Sequence, residues 1–318
     1  MKSRKLILVI LLVFSVILVP ILQIEEVEPQ SSTIYIRADG TVEGTGTIQT
    51  EGNVYTFTDN VVNQSILVER DNVVVDGASY TLEGGHIWLE NRRNVTIKNI
   101  EIIRSDEGVR IMGNSINNSI IENKISEIKT STGNAIWIYL GASNNIISGN
   151  IISNNSVGIK VDMSGSTTIS ENYISSNGMG IWLSGNQNRI VRNEIINNEI
   201  GVRDFVGGNF IQHNNFVNNS VTVHESLLDR NVWDDGYPSG GNFWSNYNGT
   251  DNNGDGIGDT PYIIDENNQD NYPFINLIDI ETIPEFPSWT IPVAGFSVAL
   301  VLSIIYRTRV QGKKNEEK

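Results

Sequence analysis

The sequence has 318 residues, enough for one large domain with a sizeable buried core. Its 37 Asp and Glu residues outnumber its 22 Lys and Arg residues and give a formal net charge of -15, so the surface repels nucleic-acid phosphates instead of neutralising them. Cysteine is absent, which excludes disulfide frameworks, thiolate nucleophiles and cysteine metal sites. The 40 Asn residues outnumber even the 29 Gly residues, and both types favour turns over helices, so the chain is expected to turn often.

The N-terminal segment, residues 1–30, predicts a signal peptide or an uncleaved signal anchor. Lys2, Arg4 and Lys5 precede an apolar run over residues 6–22, which is the order of a secretory signal. The bulk of the chain is therefore expected to be exported.

The next segment, residues 31–71, predicts the first strands and an N-terminal cap. Its sequences STIYIRADGTV and NVYTFTDN alternate apolar and polar residues, as half-buried strands do. A cap is needed because the open end of a stack of strands would expose unpaired backbone groups.

Residues 72–229 carry a repeat of about 21 residues. An Asn two places before an apolar residue recurs at spacings of 27, 22, 21 and 21 residues, and in the last four repeats a second Asn follows five places later. We predict that these residues are structural, forming ladders in which side-chain amides hydrogen-bond from coil to coil. The first column is Asn123, Asn150, Asn172, Asn193 and Asn214, and the second is Asn155, Asn177, Asn198 and Asn219.

The same repeats predict an all-β solenoid of about seven coils. Short β-branched runs separated by Asn and Gly turns suit stacked parallel strands, and no helix-length amphipathic segment competes with them. Gly158, Gly180, Gly201 and Thr222 form a further column, which is interpreted as one of turn-permitting residues. Like residues of successive coils should then lie above one another at about 4.8 Å.

One outward row in this solenoid alternates aromatic and cationic residues, and we call it the tryptophan stripe. At two coils per tryptophan, its indoles should lie about 10 Å apart with a cation between each pair. The row has two interpretations: a structural cation–π ladder, or a surface on which indoles stack against sugar rings while cations bind hydroxyl or acidic groups. Its members are Trp88, Arg110, Trp137, Lys160, Trp182 and Arg203, with His224 at its end.

Residues 230–276 predict an acidic cap with a structural calcium ion as cofactor. The order of oxygen-bearing residues follows that of an EF-hand-type loop, with Gly256 at the sharp turn and Tyr262 in place of the bidentate Glu. A turn with solvated carboxylates is the alternative. The candidate ligands are Asp251, Asn253, Asp255, Asp259 and the carbonyl of Ile257.

The C-terminal residues predict a membrane anchor. Residues 289–306 are a charge-free run of 18 residues, and residues 307–318 are rich in Lys and Arg, as expected for a transmembrane helix and its cytoplasmic tail. The linker at residues 277–288 contains Pro284-Glu285-Phe286-Pro287, which resembles an archaeal C-terminal sorting signal. That resemblance implies an archaeal source and leaves open enzymatic removal of the anchor.

Six N-x-[ST] sequons fit an exported glycoprotein, although several are expected by chance in so Asn-rich a chain. They begin at Asn63, Asn94, Asn117, Asn154, Asn218 and Asn248.

Segments such as NRIVRNEIINNEIGV and TTISENYISSNGMGIWL resemble the right-handed parallel β-helix repeats of NosD-like proteins. The resemblance extends over about residues 30–276, including a tail, NVWDDGYPSGGNFWSNYNGTDNNGDGIGD, that is similar to the C-terminal segment of many archaeal members. It implies a right-handed parallel β-helix within a wider class associated with carbohydrate binding and sugar hydrolysis.

NosD itself is associated with copper delivery to nitrous oxide reductase, so the resemblance also raises copper. The residues do not support a copper site, because Cys is absent and His86, His213 and His224 form no close pair in sequence. The Asp pair and Gly-His-Gly pattern of polygalacturonases are missing as well, so no catalytic residue is predicted.

These features predict an exported, membrane-anchored β-helix that presents a rigid glycan-binding or structural face in the cell envelope. Its expected partners are the membrane, through the C-terminal helix, and envelope glycans, but not nucleic acid. The alternatives are a polysaccharide lyase, hydrolase or epimerase on the same fold, and a NosD-type accessory protein for copper-site maturation.

Overall fold

The computed structural model describes residues 32–280, apart from residue 132 and residues 226–229. Three long sheets wind these residues into a right-handed parallel β-helix, which confirms the predicted all-β solenoid. Nine parallel strands of one sheet are stacked in chain order, so the helix has about eight turns. The signal segment, residues 1–30, lies outside the described residues, as do residues 281–288 of the linker, the anchor and the tail.

The first sheet has ten strands, of which the second is an antiparallel N-terminal edge strand. The strands are Ser32–Ile36, Val42–Glu43, Gln64–Val68, Ile87–Glu90, Val109–Met112, Asn134–Tyr139, Val157–Asp162, Met179–Ser184, Ile200–Asp204 and Val221–Glu225.

The second and third sheets have nine strands each. Those of the second sheet are Ile48–Glu51, Val54–Phe57, Val74–Asp76, Thr96–Lys98, Ser119–Ile121, Ile146–Ser148, Thr168–Ser170, Arg189–Val191 and Phe210–Gln212. Those of the third are Val61–Val62, Thr81–Glu83, Glu101–Ile103, Lys124–Ser126, Ile151–Ser153, Tyr173–Ser175, Glu194–Ile196, Asn215–Val217 and Phe243–Trp244. A two-stranded antiparallel sheet, Tyr262–Ile263 with Gln269–Asp270, lies in the C-terminal cap.

The core consists of columns of inward β-branched side chains. In the second sheet, Ile97, Ile120, Ile147, Ile169 and Ile190 follow one another in register and are fully buried. Burying such a side chain contributes about 1.5–3 kcal/mol, so the columns supply most of the driving force for stacking. The C-terminal end is closed by aromatics, because Trp244 stacks between Phe216 and Tyr262 at centroid distances of 4.5 and 4.3 Å.

Both predicted asparagine columns form buried ladders. In the first, the backbone N–H of Asn150 donates to Oδ1 of Asn172 at 3.0 Å, and Nδ2 of Asn150 donates to the same oxygen at 2.9 Å and back to the carbonyl of Ile120 at 2.8 Å. The pattern is repeated at Asn123, Asn172, Asn193 and Asn214. The second ladder, Asn155 to Asn219, has the same donors and acceptors.

Each amide of the first ladder also closes a strained turn. The residue before the ladder Asn has a positive φ even where it is not glycine, as at Glu122, Glu171 and Arg192. Such conformations are unfavourable for residues with a side chain. The Nδ2 of the following Asn bridges this turn by donating to the carbonyl two places before itself, as Asn172 does to Ser170 at 2.9 Å.

A third ladder was not predicted. Four of its members, Asn118, Asn145, Asn188 and Asn209, lie five places before residues of the first ladder, and the column continues into the cap through Asn231 and Asn268. The column is interrupted by Thr167, which obscures its period in the sequence. The signal was nevertheless present, since Asn precedes four of the five predicted ladder residues at the same distance.

The glycine column is real, but the turn-based explanation for it is wrong. Gly158, Gly180 and Gly201 do not have positive φ. A Cβ at any of them would lie 2.5 to 2.6 Å from a carbonyl oxygen of the next coil. Glycine is therefore required at these positions by the close approach of backbones. Thr222 can carry a side chain because it lies in the last strand of the first sheet, which has no further described strand beyond it.

Candidate ligand-binding face

The tryptophan stripe lies on the outer face of the first sheet. From Trp88 to Arg203, the residues on either side of each member are buried, as Ile136 and Ile138 are around Trp137, so period-two alternation directs the stripe outward. The Cα register places its members in one row, pairing Trp88 with Arg110, Arg110 with Trp137, Trp137 with Lys160, Lys160 with Trp182 and Trp182 with Arg203.

The cations of the stripe lie against its indoles. Nζ of Lys160 is 3.9 Å from the ring centroid of Trp182 and 5.2 Å from that of Trp137. Cζ of Arg110 is 5.1 Å from the Trp137 centroid and 5.5 Å from that of Trp88. Each such contact contributes about 0.5–1 kcal/mol at an exposed site, so the structural part of the interpretation has a physical basis.

The indole N–H groups of the stripe form no hydrogen bonds among the described residues. Nε1 of Trp88, Trp137 and Trp182 is buried and has no hydrogen-bond partner among the described residues, and the same is true of Nε of Arg203. An unpaired buried donor costs about 1–3 kcal/mol. A purely structural ladder therefore leaves four donors unsatisfied in one row, and ligand oxygens could accept from them if the covering side chains moved.

Only some of the stripe's positive charge is neutralised by the protein. Arg110 pairs with Glu107 at 2.5 Å, and Lys160 lies 3.4 Å from Asp162. Arg203 forms no ion pair with any described residue, although its guanidinium lies 4.7 Å from the ring centroid of Phe205. At its Arg203 end, the stripe thus presents a cation without a carboxylate partner.

Three further rings widen the stripe. Tyr139 packs on Trp137 at a centroid distance of 4.9 Å, and Phe205 packs on Trp182 at 5.5 Å. His86 was missed as a neighbour, and its ring lies 4.4 Å from that of Trp88. Burial, followed by the charge of Arg110, lowers the pKa of His86 to about 4, so it is neutral at physiological pH.

The predicted calcium ligands lie in one loop of the cap, but their oxygens accept hydrogen bonds from that loop. Asp251 accepts from the N–H groups of Gly254 and Gly256 at 2.7 and 2.9 Å, and Asp255 accepts from the N–H of Ile257 at 2.9 Å. Asp259 accepts from the N–H of Asn252 and from its side chain, and Asn253 accepts from the N–H of Asp255. Among the described residues no three His, Asp or Glu side chains form a cluster, and calcium binding stays a prediction.

The six sequon asparagines are all exposed, whereas the ladder asparagines are buried, apart from the half-buried Asn219. Asn63, Asn94, Asn117, Asn154 and Asn218 have positive φ and lie in turns between sheets. In three sequons the middle residue is a ladder asparagine, namely Asn118, Asn155 and Asn219. The repeat geometry therefore produces half of the sequons by itself, by placing an exposed turn Asn before a buried column and a polar strand residue.

No helix among the described residues is long and apolar enough to cross a membrane. The predicted transmembrane helix at residues 289–306 lies outside the described residues.

Residues 27–249 match the protein family described as "Periplasmic copper-binding protein (NosD)". The match covers well over half of the sequence and confirms the resemblance to NosD-like proteins. No curated protein was matched in sequence.

Several solved structures are partly similar in fold. The periplasmic alginate epimerase AlgG is 18% identical with a TM-score of 0.41, over 53% of this chain and 48% of that one, so the match spans about half of the epimerase. An alginate lyase from Paenibacillus sp. str. FPU-7 is 16% identical with a TM-score of 0.38, over 57% of this chain and 74% of that one. The A-module of the Azotobacter vinelandii mannuronan C-5 epimerase AlgE6 is 17% identical with a TM-score of 0.36, over 57% and 64% of the two chains.

Proposed function

The chain belongs to the NosD family, and we propose that it is a β-helix protein that binds an extended glycan along the tryptophan stripe. The family's description as periplasmic supports an extracytoplasmic location. The observation that carries the proposal is the row of three indoles and three cations in strict register on the first sheet.

The chemistry of the stripe suits a polymer of sugar rings. A pyranose has an apolar face of C–H bonds, which can stack on an indole, and a rim of oxygens, which can accept hydrogen bonds from guanidinium, ammonium and indole N–H groups. The stripe supplies both kinds of contact alternately, at intervals of about 4.8 Å along the helix axis. A ligand that repeats at a regular interval can therefore use every coil.

The charge distribution favours a glycan with acidic groups. The stripe contains three cations, and 11 of the chain's 37 acidic residues are concentrated in residues 231–285, which contain no Lys or Arg. A large part of the protein's net negative charge is thus placed toward the C-terminal end of the sequence. An acidic polymer can then approach the stripe at less cost than the net charge suggests.

The family also implies copper, but the described residues do not fit a copper site. Copper favours Cys, Met and His ligands, and the three histidines are widely separated. His86 directly precedes the strand Ile87–Glu90, and His224 lies in the strand Val221–Glu225, six strands further along the first sheet, about 29 Å at the parallel-strand spacing. His213 lies at a turn near Ser239. No step through copper is therefore derived for this chain.

We further propose that the protein is held at the cell surface by its C-terminal segment. This rests on the apolar run at residues 289–306 and the basic residues that follow it. Exposure of all six sequons is compatible with glycosylation of the exported region.

The test replaces Trp137 and Trp182 by Ala, singly and together, in the full-length chain. Retention on acidic and neutral polysaccharides would be measured by affinity electrophoresis, and stability by thermal melting. We expect retention to fall at least tenfold in the double variant, because each stacking contact contributes about 1 kcal/mol. Tyr173→Ala is the matched control, since Tyr173 is an exposed aromatic on the third sheet.

Three outcomes separate the interpretations. Loss of stability with unchanged retention would leave only the structural ladder and end the glycan proposal. Equal loss of retention in the Tyr173 control would mean that the binding is nonspecific. Release of reducing ends or unsaturated products from any of the polysaccharides would replace a binding role by an enzymatic one.

A further inference from the structure

A shallow depression of about 340 Å³ lies beside the tryptophan stripe, at the turns that follow consecutive strands of the first sheet. Ser184, in its wall, lies two places after Trp182 in the same strand, about 7 Å along the chain. Its other lining residues include Gly141, Met163, Ser164, Gly165 and Asn186. The depression therefore borders the surface proposed to hold the glycan.

Two glycines bring the turns that line the depression close together. A Cβ on Gly185 would lie 1.5 Å from the carbonyl oxygen of Ser164, and one on Gly165 would lie 2.6 Å from that of Asn186. Both obstacles are backbone atoms, so only glycine lets the turns of successive coils approach so closely.

One residue that lines the depression, Ser164, has a buried hydroxyl group without a hydrogen-bond partner in the described part of the chain. Ser164 is 7% exposed, and its Oγ has no hydrogen-bond partner among the described residues. A buried hydroxyl without a partner destabilises a folded protein. Ser164 lines the depression, and its Oγ is buried below the surface, so a ligand hydroxyl group could bond to it once the covering atoms move.

The lining is amphipathic and uncharged. Met163 is 57% exposed and, with Val206, supplies an apolar wall. The amide of Asn186 is exposed, and Ser184 donates a hydrogen bond to Asp162. None of the lining residues is Lys, Arg, Asp or Glu, so the depression offers nothing to balance a charged ligand.

We propose that this depression binds one neutral pyranose ring, as the end or a branch of the glycan that lies along the tryptophan stripe. The apolar face of the ring packs against Met163 and Val206, and its hydroxyl groups bond to Ser164 and Asn186. The volume is at the lower end of that of small-molecule sites and suits a single ring. In its reference to the longer glycan, this inference rests on the proposed function.

The test measures binding of four neutral probes to the full-length chain by calorimetry: methyl α-glucoside, methyl α-mannoside, methyl β-galactoside and N-acetylglucosamine. We expect at least one probe to bind and Ser164→Ala to weaken it about tenfold, while the melting temperature stays the same or rises because an unpaired hydroxyl has been removed. Met163→Asp should also weaken binding, and because Met163 is exposed this variant should fold.

Ser105→Ala is the matched control. Ser105 is also 7% exposed with an unpartnered Oγ, but it does not line the depression. Ser105→Ala should change the melting temperature in the same direction as Ser164→Ala and should leave probe binding unaltered. Binding that is unchanged in both Ser164→Ala and Met163→Asp, or no binding of any probe to the unaltered protein, would overturn the inference.

Trp88→Ala separates this inference from the proposed function, since Trp88 lies coils away from the depression. If polysaccharide retention falls in Trp88→Ala but the neutral probes fail, only the depression is wrong. If Ser164→Ala weakens binding of the probes but Trp88→Ala leaves polysaccharide retention unchanged, the glycan proposal is wrong and the depression is an independent sugar site.

Discussion

The solenoid and the C-terminal cap satisfy their buried polar groups with different side chains. In the solenoid, asparagine amides donate and accept at once, so Asn172 can serve both the coil before it and the coil after it. In the cap, carboxylates that only accept take over, and Asp270 receives the N–H of Asn242 at 2.7 Å and Nε1 of Trp244 at 2.8 Å. An amide propagates a ladder, whereas a carboxylate ends it.

The strongest test of this comparison is to place a carboxylate inside a ladder. Asn172→Asp removes the Nδ2 donor to Asn193, Ile147 and Ser170 and buries a charge next to the acceptor oxygen of Asn193. We expect the free energy of unfolding to fall by about 3–5 kcal/mol, measured by urea denaturation. The exposed Asn154→Asp should change it by less than about 0.5 kcal/mol, and similar losses in both variants would contradict the ladder account.

The converse test replaces the carboxylate that ends a ladder. Burial raises the pKa of Asp270 to about 6, with the charge of Asp234 adding to it, against 3.8 for the ordinary group. The folded state therefore holds more protons than the unfolded state between these values. The contribution of Asp270 to stability is complete below about pH 4 and is lost as the pH rises through 6, a change of about 3 kcal/mol.

Urea unfolding of the unaltered chain and of Asp270→Asn at pH 4 to 7 checks this sign. The stability difference between them should shift in favour of the unaltered chain as the pH falls. Asp39→Asn is the control, because the backbone N–H of Thr41 lowers the pKa of Asp39 and its contribution to stability should stay nearly constant from pH 7 to 4 and fall only at lower pH. A difference between the chains that is constant with pH would contradict a buried, protonatable Asp270.

Calcium would add a second means of stabilising the carboxylates of the cap. We propose that the loop with Asp251 and Asp259 binds calcium, which should raise the free energy of unfolding by about 2.7 kcal/mol at 100 times the dissociation constant. Thermal melts with calcium and with a chelator measure this, and Asp251→Ala should remove the shift while Glu199→Gln keeps it. Identical melts in calcium and chelator would end the proposal.

The smallest expected effect concerns the interruption in the third ladder. Thr167 donates its N–H to Asn188, but its Oγ1 is buried without a described partner. Thr167→Asn should restore an acceptor for the N–H of Asn145 and stabilise the protein by about 1 kcal/mol. Thr168→Asn, at a half-buried outward position, should not stabilise it. A loss of stability in Thr167→Asn would mean that the column has no room for an amide.

Features that repeat once per coil were predictable from the sequence. Because the coils stack in register, one sequence repeat corresponds to one coil of the structure. The asparagine columns and the alternation of Trp137 with Lys160 could therefore be predicted from the sequence repeat. The third column could have been found in the same way, but one Thr167 among its asparagines broke the pattern.

Features that arise from contacts between turns were not predictable. Gly158 was identified for the wrong reason, because its requirement lies in a carbonyl of the next coil and not in its own φ. The depression depends on how closely the turns of Gly165 and Gly185 approach and on an unpaired Ser164, and none of these is periodic. The pairing of His86 with Trp88 likewise depends on a half-buried position at the start of the stripe.

The asparagine ladders also have a direction. The N–H of Asn123 is met by Oδ1 of Asn150, a residue that is synthesised later, and the amide of Asn150 donates back to Ile120. A stack that ended within the repeats would therefore leave an amide N–H that only a following coil of the fold could satisfy. The two ends of the solenoid are thus unequal, and the C-terminal cap must supply the acceptor that the last coil lacks, as Asp270 does for the N–H of Asn242.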